Sequence, residues 1–319
     1  MSRLSPRHLR MPEPKPSRRR LSRGVAVIGI VVALAAMGLP LQRATALRQS
    51  EAVWSVKCDL SHQAPDDPIV FPAQPGRSHL HDFFGNVSVD ADVTTASLAR
   101  AASTCRNGMD EVDKAAYWTP SLLDNGRPVA GASEHRINAY YAVLDKPLPV
   151  RPMPLGLRML AGDATARTAQ PTRIVHYNCI RPRGGGQATG DSAAIPNCPE
   201  GSYLSAKITF PGCWDGVRLD SPDHKSHMAY PVRQNCPVTH PVRLPTLMVR
   251  LRWRAATGIP GSRLSLASGG QHSMHADFWN VWSPSVMAWL VENCLNRAQN
   301  CREIARGQIN APTGSFTNR

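Results

Sequence analysis

Apolar and polar positions alternate most cleanly over residues 244–253, where Leu247, Val249, Leu251 and Trp253 interleave with Met248, Arg250 and Arg252. A period of two places one set on each face of a β-strand. Residues 136–144 (RINAYYAVL), 173–180 (RIVHYNCI) and 203–210 (YLSAKITF) carry the same signal. Helical periodicity is scarce. Ser283-Pro284 predicts a helix start, with the serine as cap and the proline in the first turn; Val286, Met287, Leu290, Val291 and Cys294 supply its apolar face. The alanine-rich stretch 94–104 is compatible with a second short helix, and Asp124-Asn125-Gly126 predicts a tight turn. Strands separated by long segments punctuated with proline and glycine predict a mainly β protein with a few short helices. The expected form is a single sandwich or jelly-roll-like domain with long loops.

The first 46 residues follow a different pattern. Arg3, Arg7, Arg10, Lys15, Arg18, Arg19, Arg20 and Arg23 face a single acid, Glu13, and an uncharged apolar run follows from Gly24 to Leu39. That run has 16 residues, short of the roughly 20 that a spanning helix needs. Ala44-Thr45-Ala46 then supplies a small-x-small cleavage pattern, so residues 1–46 read as a signal peptide and 47–319 as the mature domain. Ser17-Arg18-Arg19-Arg20-Leu21 resembles a twin-arginine export signal. The alternatives are an ordinary basic secretory signal or an uncleaved anchor, and membrane contact is expected only through this segment.

Composition changes once the signal is set aside. Residues 1–46 hold nine of the 37 Lys+Arg and one of the 23 Asp+Glu, so the formal charge falls from +14 to 28 bases minus 22 acids, or +6. That excess suits an anionic wall or membrane surface. With no basic helical stripe and no RNP-like motif, no nucleic-acid partner is expected. The eight cysteines, Cys58, Cys105, Cys179, Cys198, Cys213, Cys236, Cys294 and Cys301, all follow the proposed cut. An even number outside the signal points to disulfides formed in an oxidising, extracytoplasmic compartment. Sequential pairing (58–105, 179–198, 213–236, 294–301) is the simplest scheme. No C-x-x-C occurs, which removes support for a thiolate zinc site.

The candidate chemistry lies in three histidine clusters: His79-x-His81-Asp82; Asp220-Ser221-Pro222-Asp223-His224-x-x-His227, followed by His240; and His272-x-x-His275-x-Asp277. On an extended strand, residues two apart share a face, so His79 can project with His81 and His275 with Asp277. Imidazole nitrogen with carboxylate oxygen is a usual donor set for a divalent transition metal, the candidate cofactor here, with His79, His81, His227 and His275 as ligands. Without metal, Asp82 and Asp277 are the candidate acid and base, with His81 and His275 as proton relays. Trp214 and Trp279 are the aromatics best placed for a sugar platform, with His224 as a further ligand contact, whereas Trp253 and Trp289 read as packing. The bland alternative is that the histidines bond backbone carbonyls and the aspartates hold turns. His62, His135 and His176 stand alone and receive no role. Neither G-x-S-x-G nor H-E-x-x-H occurs, so a standard serine hydrolase or zincin is not expected.

Four strings in order carry a family likeness. They are Ser78-His79-Leu80-His81-Asp82-Phe83-Phe84-Gly85-Asn86; Phe210-Pro211-Gly212-Cys213-Trp214-Asp215-Gly216 with Leu219-Asp220-Ser221-Pro222-Asp223-His224-Lys225-Ser226-His227; Cys236-Pro237-x-x-His240-Pro241-Val242-Arg243-Leu244-Pro245; and His275-Ala276-Asp277-Phe278. Over about residues 54–294 the chain resembles the DUF1996 proteins, a domain of unknown function found in secreted actinobacterial and fungal proteins. It departs from them in reading Trp279-Asn280-Val281-Trp282 where they usually read Asn-Gly-Trp. The resemblance implies an exported domain, in fungi sometimes joined to modules assigned to carbohydrate binding, and supplies no established activity.

Three functions are therefore carried forward: an enzyme acting on envelope or extracellular polysaccharide, a non-catalytic module binding cell-wall glycan, and a surface metal-binding protein. The exported protein is expected to begin at Leu47. N-terminal sequencing of the secreted chain checks this, and a start upstream of Arg43 overturns the assigned cut.

Overall fold

In the computed structural model, the residues described are 52–106, 108–129, 135–144, 149–182, 185–301 and 306–310. The proposed signal peptide lies outside them. The strands in chain order are β1 (Val53–Ala64), β2 (His81–Gly85), β3 (Ala116–Pro120), β4 (Leu122–Asp124), β5 (Arg127–Pro128), β6 (Arg136–Ala142), β7 (Arg158–Gly162) and β8 (Val175–Ile180). They continue as β9 (Tyr203–Thr209), β10 (Cys213–Trp214), β11 (Met228–Ala229), β12 (Val242–Arg243), β13 (Thr246–Trp253), β14 (Leu264–Leu266), β15 (His275–Trp279) and β16 (Asn300–Cys301). The α-helices are α1 (Thr95–Arg100) and α2 (Pro284–Leu290).

The expectation of a mainly β protein holds. The four stretches of alternation appear as β6, β8, β9 and β13, each within two residues of the bounds read from the pattern. Asn125 and Gly126 turn the chain from β4 into β5. α1 is shorter than the alanine-rich stretch, and Thr94 and Ser97 close its start as a capping box. α2 begins at Pro284 as expected, but Ser283 makes no side-chain cap; its hydroxyl meets that of Ser285 at 3.2 Å instead.

One nearly closed antiparallel sheet organises the fold, with strand order β7-β15-β3-β2-β1-β6-β13-β9-β8 and β16 lying parallel beside β1. β1 is the joint. Its first half pairs with β6 and its second half with β2, and the register shifts between Leu60 and His62. A strand that changes partners at a bulge turns a corner, bringing the two halves of the sheet face to face. The main core fills the space between them, with Trp54, Tyr117, Tyr141, Phe210, Leu247 and Phe278 all buried. A smaller core of Ile69, Phe83, Val89, Leu98, Trp118 and Trp279 covers the outer face of β2, β3 and β15. Two three-stranded sheets, β11-β10-β12 and β14-β4-β5, fill out the periphery.

The disulfides follow the sequential scheme: Cys58–Cys105, Cys179–Cys198, Cys213–Cys236 and Cys294–Cys301. Three of them tie β1, β8 and β10 to segments outside the strands, and the fourth joins the helical turn after α2 to β16; each closes a loop and so limits the freedom of the unfolded chain. Among the described residues no helix is long and apolar enough to cross a membrane.

β2 ends at Gly85, whose φ of +78° lies in the left-handed region, and a Cβ there would stand 2.6 Å from the Ala115 carbonyl oxygen. Gly85→Ala is therefore expected to cost about 2 kcal/mol or more. Urea denaturation reads this directly, and an unchanged midpoint contradicts the strain assigned to the position.

Candidate metal centre

Antiparallel register selects the side chains that meet. His81 pairs with Pro120, and Phe83 with Trp118. Trp118 pairs in turn with Asp277, and Asp277 with Leu160. Directly paired residues share a face, as do residues two apart along a strand. His81, Phe83, Trp118, His275, Asp277 and Trp279 therefore all project to the outer face, toward the smaller core. Their neighbours Asp82, Phe84, Tyr117 and Phe278 turn the other way. The segment between β1 and β2 folds over the outer face and contributes Asp66, Asp67 and His79.

On that face, His79, His81 and His275 converge, with one ring nitrogen from each lying within 4.8 Å of the other two. Backbone contacts settle the tautomers of His81 and His275. His81 Nδ1 is 2.8 Å from the Asp66 carbonyl oxygen, and His275 Nδ1 is 2.9 Å from that of Ser273. A carbonyl only accepts, so each Nδ1 carries the proton and each Nε2 presents a lone pair. The two Nε2 atoms face each other at 3.4 Å. Two neutral acceptors at that distance offer each other no proton and repel. The His79 ring packs at 4.2 Å from the His81 ring and 5.1 Å from that of His275, and its Nε2 is buried without a partner.

Desolvation sets the charge state. Burial lowers the pKa of His79 to about 4 and that of His275 to about 3. Burial also holds His81 well below the ordinary histidine range, reinforced by the two neighbouring imidazoles and opposed by its bond to Asp66. All three are thus neutral at physiological pH, the state in which imidazole ligates a metal. Asp277 lies beside them, its Oδ2 3.7 Å from His275 Nε2. Both of its carboxylate oxygens are buried with no hydrogen-bond partner. Burial drives its pKa well up, the Asp67 carboxylate adds to this, and the Lys225 charge opposes it. Asp67 is also buried and shifted upward, although its Oδ1 accepts from the backbone amides of Ile69 and Val70 at 3.0 Å each. The centre thus holds two fixed lone pairs, a third imidazole whose Nε2 has no partner, and an unsatisfied carboxylate, an environment complementary to a cation.

The family model for DUF1996, a domain of unknown function, matches residues 67–282. The chain belongs to this family. No curated protein and no solved structure matches it. The DUF1996 span begins at Asp67 and contains His79, His81, His275 and Asp277.

Within the domain, the other residues singled out from sequence take different places. Asp82 is buried on the opposite face, where its Oδ1 accepts from Gln63 and from Ser121, each at 2.5 Å, and its Oδ2 lies 3.4 Å from His135 Nε2. Strand alternation separates it from its neighbour His81, so Asp82 and Asp277 do not form an acid–base pair. His227 is not a fourth ligand: its Nδ1 meets the Ser221 hydroxyl at 2.9 Å and its Nε2 the Arg158 carbonyl at 2.7 Å. His224 Nδ1 contacts the Asp220 carboxylate at 3.0 Å. Trp279 is buried rather than displayed, its indole N–H donating to Thr95 Oγ1 at 3.1 Å and the Arg158 guanidinium lying 3.9 Å over its ring. Trp214 is half-buried against the main core, with its N–H on the Arg218 carbonyl at 2.6 Å. Neither tryptophan forms an open platform. Asp67 and Lys225 escaped the sequence reading; the one signal for Asp67 was its proline-flanked loop, Ala64-Pro65-Asp66-Asp67-Pro68.

The imidazoles imply a specific acid response in the metal-free protein. Their folded pKa values lie below the 6.5 of the unfolded chain. The stability they contribute is therefore whole above about pH 6.5 and is lost as pH falls toward about 4 to 3. Asp277 and Asp67, with raised values, act in the opposite sense, so the histidine contribution is isolated by comparison. Denaturation midpoints of His275→Phe, measured from pH 7 to pH 4, are expected to fall less steeply than those of the wild type. Parallel curves would show that His275 does not titrate on unfolding.

Proposed function

We propose that this is an exported metalloprotein whose His79, His81 and His275 hold one divalent transition metal, zinc being the ion the donor set suits best. The observation that carries this reading is the pair of Nε2 lone pairs facing each other at 3.4 Å, each fixed by an Nδ1–H bond to a carbonyl. Two nitrogens each roughly 2.0–2.1 Å from a tetrahedral ion stand roughly 3.3–3.4 Å apart. Carbonyl bonds to the far ring nitrogen are the usual outer support for ligating histidines. Export is supported by the signal pattern in the sequence and by the four disulfides.

Three imidazoles leave a fourth position, the arrangement of catalytic rather than structural zinc sites. When bound, such an ion acidifies a coordinated water and polarises a substrate oxygen. Asp277 lies outside the three-imidazole cluster but beside it, with two carboxylate oxygens in want of donors. With an ion held by the three imidazoles, Asp277 would be the residue to orient such a water and take its proton. This supports metal-assisted hydrolysis of an extracellular substrate. Cleavage of a glycan by two opposed carboxylates has less support, because Asp82 faces the other side of the sheet.

Protein purified with its metals retained is expected to contain about one equivalent of transition metal. His81→Ala and His275→Ala should each weaken binding by more than about 100-fold, beyond what loss of an outer partner costs. Asp277→Asn should retain the ion. Elemental analysis together with metal titration decides the matter: wild-type protein that takes up no transition metal, or histidine variants that bind as tightly as the wild type, would rule out the centre.

A further inference from the structure

We propose that Lys225 is the anion-binding arm of this centre, so that the substrate carries a carboxylate or phosphate group next to its reacting atom. The inference rests on the metal reading above and adds the class of ligand that occupies the remaining position.

The turn that holds Lys225 is anchored by its neighbours. Asp223 Oδ1 accepts from the Ser221 hydroxyl at 2.7 Å and from the backbone amides of Ser226 and Lys225 at 2.9 and 3.2 Å. His224 adopts a left-handed φ of +56°, a conformation that costs a non-glycine residue free energy unless its surroundings impose it. The Asp220 carboxylate holds the His224 ring and is itself held by Arg158 at 3.0 Å, while both nitrogens of His227 are bound. The histidines and aspartates of this motif thus spend their polar groups on one another and on the backbone. Among its exposed residues, Lys225 is the one that carries a cation.

The lysine is aimed at the metal centre. Its Nζ donates to the Gly162 carbonyl at 3.2 Å. Gly162 pairs with His275 across the β7–β15 ladder and sits so close that a Cβ would come within 3.0 Å of the His275 Cα. The ammonium therefore stands on the strand edge level with the imidazoles, and its charge is felt at both His275 and Asp277. One bond to a carbonyl leaves two of its three N–H donors for another acceptor. Asp163 is the nearby acid and feels the Lys225 charge, but its Oδ1 is engaged by the Thr165 amide and hydroxyl at 2.8 and 2.7 Å. A bound cation with a fixed ammonium at its margin is the charge arrangement that receives an anionic group and stabilises negative charge developing on it.

The test uses the full mature protein loaded with cobalt(II), whose visible spectrum reports ligands entering the metal's coordination sphere. Acetate and inorganic phosphate are titrated separately into wild type, Lys225→Met and Lys225→Arg. Wild type should bind at least one of the two anions, and the tighter of them assigns the class. Lys225→Met should take up the same amount of cobalt but bind that anion at least about 10-fold more weakly, with Lys225→Arg recovering most of the loss. Equal anion affinity in wild type and Lys225→Met, with normal cobalt content, overturns the role of Lys225 and leaves the metal reading standing. Absence of cobalt uptake by wild type overturns both.

Discussion

Two neutral imidazoles, buried on separate strands with their lone pairs directed at each other, form the contact around which the outer face of the sheet is organised. His81 and His275 belong to strands separated by β3, and their Nε2 atoms meet only because register aligns both with the end of that strand. A one-residue slip in either strand would send its histidine into the main core and bring Asp82 or Ala276 outward in its place. The carbonyls of Asp66 and Ser273 then fix each ring so that it cannot turn its N–H toward the other. The contact is unfavourable in itself, and the fold that imposes it holds it in readiness for a cation.

Burial acts in opposite directions on the two kinds of group. It keeps His79, His81 and His275 unprotonated and so ready to ligate, while it penalises the ionised forms of Asp277 and Asp67. Positive charge at the imidazoles would relieve both carboxylates at once, which makes the lack of partners at Asp277 intelligible. The smaller core contributes by excluding water: Phe83, Trp118 and Trp279 pack along the same face and lower the local dielectric. Trp279 is thus more useful as a wall than it would be as a sugar platform.

Much of the fold was legible. β6, β9 and β13 keep partly exposed positions between buried ones, so their alternation follows from facing the core. β8 was legible from its β-branched and aromatic residues although it is buried throughout, and the proline of α2 marks its own first turn. β1 was harder to read because it bends: its later half, Leu60 to Ala64, is polar and pairs with a different neighbour. β2 and β15 were obscured for another reason. Both faces of each are buried, so apolar and polar side chains do not sort by face, and their histidines and aspartates occupy positions where a simple strand would carry valine or isoleucine.

Local chemistry determined which residue types were available. The sequence by itself placed the histidines in three clusters, set His79 two residues from His81 and His275 two from Asp277, and put all eight cysteines after the basic leader. Tertiary structure decided which of these meet. It joined the first cluster to the third across β3, turned Asp82 to the opposite face, and assigned the second cluster to a turn that presents Lys225. Spacing along a strand dictates direction and nothing more. Proximity between residues nearly two hundred positions apart, such as His81 and His275, comes from strand order and register, which belong to the folded sheet as a whole.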